Sequence, residues 1–111
     1  RSIEMADRTV SDLLSERRDT AGLLLLHGIG GDPDAMRAGL PVQLHVADPD
    51  DLFPPVDVAA WRDAVSDVGA AVEVCTYPGV GHLFTDPDTP DYNKAASELA
   101  WQRSLTFLGS L

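Results

Sequence analysis

Basic residues are scarce in this chain. Eight lysines and arginines stand against eighteen aspartates and glutamates, the formal net charge is −10, and Lys94 is the only lysine. Such a surface repels phosphate backbones and anionic membranes, which argues against nucleic acid or a lipid surface as a partner. Cysteine is scarcer still. Cys75, alone, cannot form an internal disulfide, and a reducing cytoplasm is the expected location. No apolar run approaches the roughly 18 residues of a membrane span, so no membrane association is expected. What remains is 111 residues, 44% of them hydrophobic, enough for one modest core and too apolar for a disordered chain. The aspartate-rich balance also suits a salt-rich cytoplasm, where concentrated salt screens the self-repulsion.

Residues 1–18 carry helical spacing, with Ala6, Val10, Leu13 and Leu14 on one face and Asp7, Arg8, Asp12, Glu16 and Arg17 elsewhere. Arg1 has neither a cap signal nor a strand before it, so the chain is expected to begin inside a larger domain. Ala21 to His27 is a short, uniformly apolar run between glycines, which predicts a strand buried on both faces of a parallel sheet. Gly28 to Asp34 is a loop by composition. Val42 to Ala47 predicts a second strand, followed by the loop Asp48-Pro-Asp-Asp-Leu-Phe-Pro-Pro55. Asp57 is the expected cap of a helix running to Gly69, with Val58, Trp61, Ala64, Val65 and Val68 on one face. Ala71 to Tyr77 is β-branched and aromatic and predicts a third strand. Pro90-Asp91 then opens a last helix over residues 92–108, on which Trp101 is expected at the core or its edge. Strand and helix in alternation predict an α/β fold with parallel strands and right-handed crossovers.

In open parallel sheets ligands gather at the C-terminal ends of the strands. Here those ends deliver His27-Gly28, then Asp48, Asp50 and Asp51, then the segment Pro78-Gly-Val-Gly-His-Leu-Phe84, where two glycines turn the chain around His82. A carboxylate and an imidazole on neighbouring strand ends are two members of a nucleophilic triad: the first fixes the ring tautomer, the second takes a proton from a hydroxyl or thiol. Other patterns point elsewhere less well. Asp-Pro-Asp recurs at Asp32, Asp48 and Asp86, but without an EF-hand's glycine and terminal glutamate it reads as acidic turns rather than a metal site. The Gly28 to Gly31 loop lacks the lysine of a phosphate loop. Cys75 lies mid-strand and reads as core, and Arg103 as a partner for an acidic loop.

An ordered set of motifs over the last two thirds of the chain resembles the dienelactone hydrolase family of α/β-hydrolases. They are Pro41-Val-Gln-Leu-His45, Asp50, Tyr77-Pro-Gly-Val-Gly-His-Leu-Phe84, Tyr92-Asn-Lys-Ala-Ala96, Arg103 and Phe107-Leu108. The resemblance implies a partial α/β-hydrolase fold with three strands visible, a single, incomplete domain over residues 1–111. It implies Asp50 as triad acid, since Asp50 rather than Asp48 or Asp51 holds the place before Leu52-Phe53-Pro54, and His82 as triad base. It further implies hydrolysis of a small ester or lactone through an acyl-enzyme, with no cofactor.

The family's nucleophile elbow, G-x-C-x-G or G-x-S-x-G, falls by this register near Ser2 to Ala6. Glu4 stands at the nucleophile position and neither elbow glycine is present. Ser2 becomes the candidate hydroxyl if the register slips by two residues. A different register would match Leu23 to Gly31 to the H-G-x-G-G stretch of other α/β-hydrolases, which supplies an oxyanion-hole amide, but it requires the elbow to be deleted. Leu52, Phe53, Leu83 and Phe84 are the expected apolar pocket walls. The competing expectation is a non-catalytic α/β module that binds a partner, or self-associates, through an exposed strand edge.

Overall fold

The computed structural model describes residues 20–111; the helix expected over residues 1–18, with Ser2 and Glu4, lies outside them. Three strands form one parallel sheet in the order of the chain: β1 (Leu23–Leu26), β2 (Pro41–Asp48) and β3 (Ala71–Pro78). Leu26 pairs with His45 and Asp48 with Pro78, so all three strands end along one edge. Among the described residues two helices cover the sheet, α1 (Pro55–Asp67) between β2 and β3 and α2 (Lys94–Gly109) after β3. A short 3₁₀ turn, Pro33–Ala35, interrupts the loop after β1. The consecutive strands are also neighbours in the sheet.

Alternation along β2 divides the interior. Val42, Leu44 and Val46 pack with Leu40, Val58, Trp61 and Val65 into the larger core beneath α1. Gln43, His45 and Ala47 point the other way, where Cys75, Tyr77, Phe84 and Ala100 form the smaller core beneath α2. β2 is buried along most of its length, whereas in β1 only Leu25 is buried and Leu26 is exposed. The expectation of a β1 buried on both faces is therefore corrected: Leu26 is exposed and Leu23 and Leu24 are half-buried.

Two helix boundaries also differ from expectation. Asp57 does not cap α1; Pro54 holds that position, with Pro55 as the first helical residue, and Asp57 sits in the first turn. Proline's fixed φ starts a helix at a position whose N–H needs no partner, and the carboxylate still favours the positive end of the helix. Asn93 caps α2, its side chain accepting from Ala96 N. Gly69 ends α1 at φ 91°, as a residue there must adopt the left-handed conformation. α2 turns its small residues, Ser97, Ala100 and Ser104, to the sheet. Trp101 faces outward at 56% exposure, a correction to its expected place at the core.

The smaller core is polar in the middle. Gln43 Nε2 donates to Glu73 at 2.9 Å, so Gln43 Oε1 faces His45 Nε2 at 2.7 Å and must accept. His45 Nε2 therefore carries the proton, with Ser104 Oγ a second acceptor at 3.3 Å, and Nδ1 accepts from the Tyr77 hydroxyl at 2.7 Å. Arg103 lies over the Tyr77 ring, 5.4 Å from its centroid, rather than pairing with an acidic loop. Burial, reinforced by the Arg103 charge, pushes the His45 pKa down to about 4.

Candidate active site

The edge where the strands end collects the three positions marked in the sequence. Beyond β2 the chain passes a cis Asp48–Pro49 bond and turns at Asp50, whose side chain is fully buried. Asp50 Oδ1 accepts from Leu52 N at 2.8 Å and from Phe53 N at 3.1 Å. The turn thus holds the carboxylate before any partner arrives, in the manner of aspartates that bond to the backbone ahead of them. Its other oxygen, Oδ2, accepts from His82 Nδ1 at 2.6 Å. Of the three neighbouring aspartates it is Asp50, not Asp48 or Asp51, that meets the His82 ring.

His82 arrives from β3 by a turn that glycine makes possible. Gly79 has φ 75°, and at Gly81 a Cβ would overlap the Asp91 carboxylate. That carboxylate accepts from Leu83 N at 3.2 Å and braces the loop. Asp91 is thus a loop brace rather than the opening of α2. Phe84, expected as a pocket wall, is instead fully buried, its ring 4.8 Å from that of Tyr77, and it pins the loop to the smaller core. Phe53 does stand beside His82, its ring centroid 6.0 Å from that of the imidazole. The same ring fills the space a Cβ at Gly28 would need.

With Nδ1 donating to Asp50, the neutral His82 ring has an acceptor lone pair at Nε2. The side chain is 22% exposed, and among the described residues Nε2 has no partner. A buried, doubly anchored carboxylate on Nδ1 and an open Nε2 are what a general base requires: the tautomer is fixed, and the imidazolium formed on proton uptake has a counter-charge 2.6 Å away. Cys75 is buried in the smaller core, where burial raises its thiol pKa and disfavours the nucleophilic thiolate. Ser2 lies outside the described residues.

His27 reaches the same place by a route the sequence does not reveal. It is the one described non-glycine residue at positive φ, 75°, a conformation costing on the order of 1 kcal/mol. Its backbone N–H is used in the ladder, donating to His45 O at 2.8 Å, and its ring turns to the His82 loop. The Asp-Pro-Asp segments act as turns: Asp32 accepts from Asp34 N and Asp86 from Asp88 N. No group of three metal-ligating side chains occurs among the described residues, and none of their helices is long and apolar enough to cross a membrane.

Residues 26–111 match the family model of the dienelactone hydrolase family. The chain superposes with a TM-score of 0.61 on the crystal structure of a protein described as a dienelactone hydrolase from Klebsiella pneumoniae subsp. pneumoniae MGH 78578. The two are 25% identical, and the match covers 65% of this chain and 30% of that one. A thermophilic esterase from the Planctomycetes species Thermogutta terrifontis superposes at 0.55 with 22% identity, over 68% of this chain and 27% of its own, a likeness of fold. The matched part thus spans about a third or less of either solved protein. No curated protein sequence matches the chain.

Proposed function

This chain belongs to the dienelactone hydrolase family, and we propose that it cleaves a small ester or lactone by acyl transfer. His82 is the general base and Asp50 orients it; the nucleophile they serve is not clearly present in this chain, whose elbow position holds Glu4, and Ser2, two residues away, is the candidate hydroxyl. The observation that carries the reading is the 2.6 Å bond from His82 Nδ1 to a buried Asp50 already held by two backbone amides.

The chemistry follows from that arrangement. His82 Nε2 takes the hydroxyl proton as the oxygen attacks the substrate carbonyl carbon, and Asp50 stabilises the resulting imidazolium. The tetrahedral adduct collapses, the imidazolium returns the proton to the leaving alkoxide, and an ester joins the acyl group to the nucleophile. Water, deprotonated by the same Nε2, then attacks the acyl carbon, and the imidazolium returns its proton to the nucleophile's oxygen as the acid leaves. From a lactone the leaving hydroxyl stays tethered to the acyl group. None of these steps calls for a metal or organic cofactor. Phe53 beside His82 and the exposed Leu52 present apolar surface, which suits a small, largely apolar acyl group.

Mixing the folded chain with a short-chain 4-nitrophenyl ester is expected to release a burst of 4-nitrophenolate approaching one equivalent per chain, followed by slower turnover. Release no faster than in buffer, from a sample with a cooperative thermal transition, would contradict the reading.

A further inference from the structure

One side chain outside the Asp50–His82 pair ties the end of β1 to the loop that carries the base. His27 Nδ1 lies 3.0 Å from the carbonyl oxygen of His82, and Nε2 lies 2.8 Å from Thr85 Oγ1. A carbonyl can only accept, so Nδ1 carries the proton and donates. In the neutral ring Nε2 then accepts from the Thr85 hydroxyl. Burial pushes the His27 pKa below its ordinary value, in keeping with a neutral ring that donates at one nitrogen and accepts at the other. The ring also stands edge-on to Phe84, with centroids 5.5 Å apart. His27 makes both contacts from a backbone at positive φ.

These contacts bracket His82 from both sides in sequence. Its own carbonyl is held by His27, and three residues on Thr85 is held by the same ring. Asp50 restrains the His82 ring, while His27 restrains the backbone from which that ring projects. A general base must be placed to within a few tenths of an ångström, so its backbone needs an anchor of its own. We propose that His27 is a positioning residue: by clamping the His82 carbonyl and the Thr85 hydroxyl, it sets the orientation in which His82 Nδ1 meets Asp50. The proposal rests on the reading of His82 as the base.

The test reads the imidazole tautomer of His82 directly, by long-range ¹H–¹⁵N correlation spectra of the ¹⁵N-histidine-labelled chain, and so needs no enzymatic activity. In the wild type His82 is expected as a single Nδ1–H species. His27→Gly keeps the left-handed backbone without strain and removes both bonds. It is expected to convert His82 to a mixture of tautomers while the His45 ring signals stay in place. His27→Asn, which tolerates positive φ and retains an amide donor near the Nδ1 position, is expected to restore the single species. Thr85→Val, which leaves β1 untouched, is expected to broaden both His27 and His82 and decides the matter if the glycine variant fails to fold. A single, sharp Nδ1–H species in whichever of the glycine and valine variants folds would overturn the positioning role and leave the Asp50–His82 pair standing. A wild-type His82 protonated at Nε2 would overturn the pair, and the positioning role with it.

Discussion

Asp50→Asn is expected to lower ester hydrolysis by about 10⁴-fold while leaving the fold intact. The oxygen of the introduced amide can keep accepting from the Leu52 and Phe53 amides, as Asp50 Oδ1 does, so the turn survives. The side-chain NH₂ then faces His82 Nδ1 and can only donate. That nitrogen must accept, the ring proton moves to Nε2, and Nε2 can no longer take a proton from a hydroxyl. The imidazolium also loses its counter-charge. A factor of 10⁴ corresponds to about 5 kcal/mol of activation free energy, far more than an exposed ion pair supplies. The measurement is kcat/KM beside thermal unfolding. A loss below about tenfold in a folded variant would reduce Asp50 to a turn residue.

Mild acid is expected to destabilise the protein through His45. The folded pKa, about 4, lies below the ordinary 6.5. The unfolded chain therefore binds the proton first, and stability falls as pH drops through the interval between the two values. At about 1.4 kcal/mol per pH unit, the full interval comes to about 3 kcal/mol, of which about 2 kcal/mol is lost between pH 7 and pH 5. His27, also lowered, acts in the same direction. The structural cause is burial, with the Arg103 charge added: protonating His45 would place an imidazolium in the smaller core near that guanidinium. Urea denaturation at pH 7 and pH 5 measures the difference, and His45→Gln is expected to remove most of it. Equal wild-type stability at the two pH values would contradict this account of the smaller core.

An aspartate paired with His82 is legible in the sequence because both follow strand ends that a parallel sheet brings together, whereas the choice of Asp50 over Asp48 and Asp51 comes from the family resemblance. β2 and β3 are legible from their β-branched residues, and Gly69 from the conformation a helix end demands. The face α2 turns inward is not legible. Spacing defines a stripe of Trp101, Leu105 and Leu108, yet all three are exposed and Ser97, Ala100 and Ser104 meet the sheet. Which face meets the smaller core, with Tyr77 and Phe84 already in it, is a tertiary fact. The polar network is hidden for a similar reason: only the register, with Gln43 opposite Glu73, brings those side chains together. His27 is marked as a strand end, but its role depends on a positive φ that no residue type announces. Phe84, two residues from His82 in sequence, is carried by the loop into the core.

The most direct test of the central claim is peptide-mapped mass spectrometry of the folded chain after treatment with a fluorophosphonate, comparing wild type with His82→Ala. The account predicts a phosphonyl adduct on the peptide containing Ser2 in the wild type and its loss in the variant, since only an activated hydroxyl reacts at a useful rate. An unlabelled wild-type chain, or an adduct that persists without His82, would contradict it, and the first of these would favour a binding module built on the same fold.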